Sequence, residues 1–276
     1  MRIWWQSFID ASASAAYMAR LSQWLNAVAL PGTEVVVHGI SPPNRGFGRL
    51  TEFRCAIEAV DNGIEAEAQG YDAFVFGHFQ EPGLMELRAA VKMPVIGVGE
   101  ATLLQAASLG RQIALITLDD CFQTYHREQA DRLGLGARIS HVAGMNCDPS
   151  HFSACFAGDQ AAKEAMLAAF RQVAEPMVAA GADVVVPAGV LPGLLIGSEY
   201  GLRIGHAPVV NCAAAGLMQA ETMIRLHRLN GLEVARGPYA SLAPDLARDD
   251  FRKLVREGRG PAQALYPPQS PKEQRT

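Results

Sequence analysis

Residues 70–75 read Gly-Tyr-Asp-Ala-Phe-Val, and residues 181–186 read Gly-Ala-Asp-Val-Val-Val. In both segments a Gly-x-Asp turn leads into a short apolar run, which predicts a buried strand. Helical patterns flank these strands, and strands whose polarity does not alternate are typical of parallel sheets covered on both faces. The two segments therefore predict an α/β fold with parallel sheets.

The same two segments belong to an internal repeat. Pro-Gly-Leu at residues 82–84 matches residues 192–194, and Pro-Val-Ile at residues 94–96 matches Pro-Val-Val at residues 208–210. The first strand of each half also matches, at an offset of 110 residues. This matching order favours two pseudo-symmetric Rossmann-like halves that enclose a cleft. The alternative is that βαβ units resemble one another in general.

The amino-acid composition limits the kinds of partner that the protein is expected to bind. The chain has 276 residues, of which 49% are apolar and 19% charged, and its net charge is -4. Nucleic-acid binding would need a basic stripe, and a membrane helix would need an apolar run of about 18 residues. We therefore expect neither a nucleic-acid nor a membrane partner. The five cysteines form no Cys-x-x-Cys pair, which favours a reduced, cytoplasmic protein.

The candidate site lies at the carboxyl ends of the strands, where parallel sheets bind ligands. His78 follows the strand at residues 73–76, and a histidine there can transfer protons near neutral pH. The alternative is a histidine that only satisfies a backbone carbonyl. Glu81 either orients His78 or is a first-turn acid of the next helix.

Residues at the other strand ends are candidates for binding a substrate. They are Gln6, Ser7, Thr117, Leu118, Gly189 and Val190. Hydroxyls and free backbone N–H groups at such turns suit a carboxylate or another oxyanion, although Ser7 and Thr117 could equally be helix N-caps. Gly189 is the repeat partner of His78, so the two halves are chemically unequal.

Other residues are weaker candidates. Cys212 begins a predicted helix, whose dipole lowers a thiol pKa, but it also fits a small buried position. Cys121 follows two aspartates, which oppose a thiolate. The polar loop at residues 144–152 either covers the cleft, with Asn146 or His151 contributing, or is a solvated connection. The histidine and aspartate spacing matches no metal-ligand motif, so we predict no metal.

Several segments resemble the aspartate/glutamate/hydantoin racemase superfamily, and its hydantoin racemases most closely. They are residues 70–75, Phe-Gln-Glu-Pro-Gly-Leu at 79–84, Pro-Val-Ile-Gly-Val-Gly-Glu-Ala at 94–101, residues 181–186 and residues 208–210. The resemblance covers roughly residues 1–232. It implies proton transfer, without a cofactor, at a carbon next to a carbonyl, by two cysteines, one from each half. Here the two places hold His78 and Gly189, so both thiols are absent.

The repeat and the resemblance together suggest where the halves begin and end. Residues 1–99 with residues 213–260 are expected to form the first α/β half, and residues 100–212 the second. The helix at residues 212–229 is expected to be the last. Residues 261–276 contain four prolines and several charges, which predicts a flexible tail.

Three functions stay open at this point. The first is a cofactor-independent enzyme of racemase or isomerase ancestry that acts on a small carboxylate or a hydantoin-like cyclic amide, with His78 as general acid or base. The second is a hydrolase or lyase in which His78 activates water. The third is a non-catalytic protein that binds a small molecule. In each case we expect no cofactor, and a homo-oligomer is left open.

Overall fold

The computed structural model describes residues 1–44, 46–147 and 149–258, and it confirms the predicted α/β class. The first sheet is fully parallel, with its strands in the order β2-β1-β3-β4. Its strands are β1 (Arg2–Asp10), β2 (Glu34–Ile40), β3 (Ala73–Gly77) and β4 (Val95–Gly97).

The second sheet is also parallel and has the order β6-β5-β7. Its strands are β5 (Ile113–Thr117), β6 (Ile139–Gly144) and β7 (Val184–Pro187). The register agrees with the predicted repeat, because Ile3 pairs with Ala73 as Ile113 pairs with Val184. The two sheets therefore share one pairing pattern.

The strand predicted at residues 208–210 is shorter than expected. Ala207–Pro208 (β9) pairs antiparallel with Arg203–Ile204 (β8), and only Val209 bridges to Val185 in parallel. Proline has no N–H group to donate to a strand ladder, so this edge of the second sheet is reduced.

Helices connect the strands and cover the sheets. They are α1 (Ala15–Val28), α2 (Arg49–Ala68), α3 (Leu84–Ala90), α4 (Val98–Leu109), α5 (Gln123–Arg132), α6 (Pro149–Phe156), α7 (Gln160–Ala179), α8 (Val190–Leu195), α9 (Cys212–Asn230) and α10 (Asp245–Gly258). Short 3₁₀ turns occupy Asp120–Phe122 and Gly136–Arg138. One buried apolar cluster contains side chains of both sheets, including Trp5, Val75, Leu115 and Val186, so the two sheets pack on a common core.

The prediction that the helix at residues 212–229 is the last was wrong. That helix is α9, which packs against α4 and the first sheet, and α10 follows it and packs on α2. The polar composition of α10 hid a narrow apolar stripe, in which Phe251 and Val255 are four residues apart. Arg252 of α10 pairs with the buried Asp61 of α2 at 3.1 Å.

One prediction concerns residues that the structure does not describe, and another concerns the boundaries between the two halves. The predicted tail at residues 261–276 lies outside the described residues. The division of the chain into domains, on which the predicted cleft depends, stays a prediction.

In the described part of the chain no helix has both the length and the apolar character of a membrane span. No disulfide joins the five cysteines, all of which are described.

Candidate functional site

His78 and Glu52 form a hydrogen-bonded dyad at the end of the first sheet. His78 directly follows β3, and its Nε2 lies 2.8 Å from Oε2 of Glu52 in the first turn of α2. The His78 side chain is 23% exposed and that of Glu52 only 8%. An ionised carboxylate accepts from an Nε2–H group, which leaves Nδ1 with the lone pair that a base requires.

Phe8 holds the imidazole from one side. Its ring is stacked on His78 with centroids 4.6 Å apart and an interplanar angle of 6°. β1 was expected to end at Gln6 and Ser7, but it continues to Asp10, with an irregular register after Gln6. Phe8 therefore lies on β1 and reaches the imidazole of His78. A bulge of this kind redirects side chains at the end of a strand. The dyad is thus fixed by a carboxylate and by an aromatic face.

A cavity of about 340 Å³ opens at the dyad, a volume within the range of small-molecule pockets. From the first sheet and its connections it is lined by Phe8, Ile9, Tyr17, Asn44, Gly46, Phe47, Thr51, Glu52, Gly77, His78 and Gln80. From the second sheet and its connections it is lined by Leu118, Phe122, Cys147, Phe152, Ala188, Gly189, Val190 and Leu191. Most of these groups are apolar. Among the predicted residues, His78, Leu118, Gly189 and Val190 therefore lie together.

The structure places Gln6, Ser7 and Thr117 behind this lining. All three are fully buried. The carboxamide of Gln6 accepts from Asn62 at 2.9 Å and donates to the Gly39 carbonyl at 3.0 Å, so it ties β1 to its neighbours. The Ser7 hydroxyl accepts from the N–H of Ile9 at 3.3 Å, and Thr117 Oγ1 has no partner among the described residues. Their substrate-binding roles stay predictions.

Glu81 points away from the dyad, into the start of α4. Its carboxylate accepts from the backbone N–H of Glu100, and a Cβ atom at Gly97 would lie only 2.5 Å from that carboxylate. Burial raises the pKa of Glu81 to about 7. The carboxylate that contacts His78 thus belongs to Glu52, whereas the carboxylate of Glu81 accepts a hydrogen bond at the amino end of α4. The catalytic role predicted for Glu81 stays untested.

The two weaker cysteine candidates remain thiols. Cys212 is fully buried and its Sγ donates to the Gly189 carbonyl at 3.2 Å; burial raises its pKa to about 12. Burial, and then the side chain of Asp119, raise the pKa of Cys121 to about 12. Neither thiol lines the cavity around His78 in the described part of the chain.

The segment predicted as a loop at residues 144–152 is helical from Pro149, where α6 begins, and it reaches the cavity through other residues than expected. Cys147 and Phe152 line it, whereas Asn146 and His151 are exposed. Within the described ranges no group of three or more His, Cys, Asp or Glu residues is placed to hold a metal ion.

Sequence reasoning missed Glu52, although the pattern of α2 contains a signal for it. Cys55, Ala56, Ala59 and Val60 form the buried stripe of α2, and Glu52 extends this stripe by one turn. A carboxylate on a buried helix face needs a partner, because an unpaired buried charge is costly.

Comparison with known proteins agrees with this architecture. The family model described as Asp/Glu/Hydantoin racemase matches residues 7–220. A hydantoin racemase from Rhizobium meliloti is 42% identical over 53 residues, which is 19% of this chain and 22% of that protein. One from Pseudomonas sp. (strain NS671) is 28% identical over 86 residues, 31% of this chain and 33% of that protein. The matched segments thus span a third or less of these relatives.

Solved structures extend the likeness over most of the chain. The allantoin racemase from Klebsiella pneumoniae has a TM-score of 0.74 at 20% identity, covering 88% of this chain and 94% of its own. The allantoin racemase from Pseudomonas fluorescens has a TM-score of 0.74 at 22% identity, covering 88% and 97%. These identities show the fold alone, whereas the family model matches well over half of the sequence. The chain belongs to the Asp/Glu/hydantoin racemase family.

Proposed function

We propose that this protein is a cofactor-independent enzyme that removes the proton from a carbon next to a carbonyl in a small cyclic amide. His78 is the base, and Glu52 is the positioning residue that orients its imidazole. The observation that carries the proposal is the His78–Glu52 contact of 2.8 Å at the wall of a 340 Å³ cavity. Family membership supports racemase or isomerase chemistry.

The dyad suits proton abstraction for an electrostatic reason. When Nδ1 takes a proton, the imidazole becomes a cation, and the carboxylate of Glu52 already faces its other nitrogen. Because both side chains are mostly buried, this attraction is screened less than it would be at the surface. The carboxylate therefore favours the charge that develops on the base during the reaction.

The cavity walls favour a neutral substrate over a carboxylate. None of the lining residues that the structure describes is Lys or Arg. The neutral polar groups at the wall include Asn44, Thr51 and Gln80, which can donate to or accept from amide groups. A hydantoin ring, which presents only amide N–H and C=O groups, matches this lining better than a dicarboxylate does. The names of the relatives, hydantoin racemase and allantoin racemase, point to the same chemical class.

The test is hydrogen exchange in D₂O, followed by proton NMR. The panel contains 5-benzylhydantoin, allantoin, a lactam and a small dicarboxylate, and the uncatalysed exchange rate is subtracted. We expect deuterium to enter the ring carbon beside the carbonyl of a cyclic amide, and we expect a folded His78→Ala variant to lose this activity. Glu128→Gln, on the exposed face of α5, serves as the control.

Other outcomes would contradict the proposal in distinct ways. Wild-type exchange rates in a folded His78→Ala variant would reject the base. A ring-opened or decarboxylated product without exchange into the remaining substrate would indicate a hydrolase or lyase. Preference for the dicarboxylate would reject the substrate class. Thermal stabilisation by the hydantoins without exchange would indicate a binding protein.

A further inference from the structure

Inversion of a stereocentre needs two groups on opposite faces of the substrate. One group removes the proton from one face, and the other delivers a proton to the opposite face of the same planar carbon. His78 supplies one group from the first sheet. Gly189, which lines the cavity at the end of β7, has no side chain with which to supply the other.

Among the described lining residues from the second sheet and its connections, Cys147 is the one whose side chain can give up a proton, and its Sγ also lies 4.0 Å from Sδ of Met166. The residues from the second sheet and its connections that line the cavity are otherwise apolar or glycine in the described part of the chain. Cys147 follows β6, and β6 and β7 both pair with β5. The segments that follow β6 and β7 therefore line the same cavity as His78, which follows β3 of the other sheet.

The backbone around Cys147 is held in place. The N–H of Met145 donates to the Thr117 carbonyl at 2.8 Å, and the N–H of Asn146 donates to the Leu118 carbonyl at 2.9 Å. Asn146 has a left-handed backbone, with φ of 49°. Its side chain also exchanges two hydrogen bonds with Asp120, at 2.9 and 3.0 Å. These backbone and side-chain hydrogen bonds fix the turn after β6, and the next residue, Cys147, lines the cavity.

We propose that Cys147 is the second catalytic residue, a thiol that delivers a proton to the face opposite His78. This inference rests on the proposed function. In one direction Nδ1 of His78 takes the proton, and the C–H electron pair moves to the carbonyl oxygen as an enolate. The enolate carbon then takes the proton of the Cys147 thiol, which becomes a thiolate. In the opposite direction the thiolate is the base and protonated His78 is the acid.

The experiment separates exchange from inversion. A single enantiomer of 5-benzylhydantoin is incubated in D₂O, deuterium uptake is followed by NMR, and optical rotation is followed in parallel. We expect the wild-type protein to do both at similar rates. Cys147→Ala should keep exchange catalysed by His78, within about tenfold, and lose inversion by at least about a hundredfold, because each general acid or base contributes about 10²–10⁴. Cys121→Ala, which removes an exposed thiol outside the cavity, is the control.

Each outcome either supports or overturns the proposed role of Cys147. Wild-type rates of inversion in Cys147→Ala would overturn the role of Cys147 and leave His78 untouched. Exchange without inversion by the wild-type protein would show a one-base enzyme and would overturn the role as well. Absence of exchange by the wild-type protein on every compound of the panel would reject the proposed function, and with it this inference. A folded Cys147→Ser variant with intermediate inversion would support the thiol, since a hydroxyl is a weaker acid.

Discussion

Replacing Glu52 by Gln tests whether the charge of the dyad, rather than its shape, serves the reaction. Glutamine keeps an oxygen that can accept from Nε2 of His78, but it carries no charge. The 2.8 Å contact sets the charge centres about 4 Å apart, and at an effective dielectric constant of about 20 such a pair attracts by ~4 kcal/mol. Neither side chain is more than a third exposed, so solvent screening does not remove this interaction.

The expected loss follows from how far the charge has developed. With the proton about half transferred in the transition state, roughly half of that attraction, ~2 kcal/mol, is lost. This corresponds to about a 30-fold decrease in kcat/KM. The loss should fall on kcat and leave KM unchanged, because the interaction strengthens only as the imidazole becomes charged.

The assay is the initial rate of deuterium exchange at several concentrations of the fastest-reacting panel compound. Circular dichroism and urea denaturation check that the variant is folded. Glu128→Gln removes an exposed carboxylate that pairs with Arg49, and it should change kcat/KM by less than about threefold. The reasoning is refuted if folded Glu52→Gln stays within threefold of the wild-type protein, or if only its KM changes.

Three further predictions concern stability and are checked by urea denaturation. Phe8→Leu should lower the free energy of unfolding by about 1–2 kcal/mol, because it removes a buried ring that is stacked on the imidazole of His78; an unchanged value would contradict this. Glu81 has its pKa raised by burial from 4.5 to about 7, so its contribution to stability is fully present below pH 4.5 and is lost as the pH rises through 7. Glu81→Gln should remove this dependence, which amounts to about 3 kcal/mol, and an identical pH profile would reject the assignment. Arg252→Ala should cost about 2 kcal/mol because it leaves Asp61 buried without its cation, whereas the exposed Lys253→Ala should cost less than about 0.5 kcal/mol.

The position of His78 was predictable because local patterns fix it. A buried strand at residues 73–76 and a helix opening at residue 84 leave the residues between them at the carboxyl end of a parallel strand. The same reasoning found Leu118, Gly189 and Val190, which line the cavity. Leu118 follows β5 directly, and Gly189 and Val190 come two and three residues after β7, so the pattern of apolar strands locates them.

The partner of His78 was not predictable in the same way. Glu52 lies 26 residues earlier, and no local pattern says which helix crosses the end of β3. The spacing favoured Glu81, three residues after the histidine. That residue has a left-handed backbone, with φ of 53°, and its carboxylate enters the start of α4 instead. A spacing in sequence therefore did not predict the direction of the side chain, because a turn lies between the two residues.

Gln6 shows a second limit of the same reasoning. It was chosen because the first apolar run stops after Trp5, yet β1 continues to Asp10. Polar residues can lie inside a strand when every donor and acceptor is satisfied, and the carboxamide of Gln6 bonds to Trp4, Asn62 and the Gly39 carbonyl. The polarity of a residue alone therefore does not mark where a strand ends, because the backbone pairing of β1 continues through Gln6.

The geometry of the second sheet explains how the site could keep its chemistry without a side chain at Gly189. β6 and β7 flank β5, so their carboxyl ends border the same cavity, and either end can carry a group that faces the substrate. On the proposal above, the proton donor stands after β6, at residue 147, and no side chain is needed at Gly189. The fold thus fixes where such a group can stand, and the residue at each strand end decides which chemistry results. If inversion depends on Cys147, the two halves remain equivalent in function although Gly189 makes them unequal in sequence.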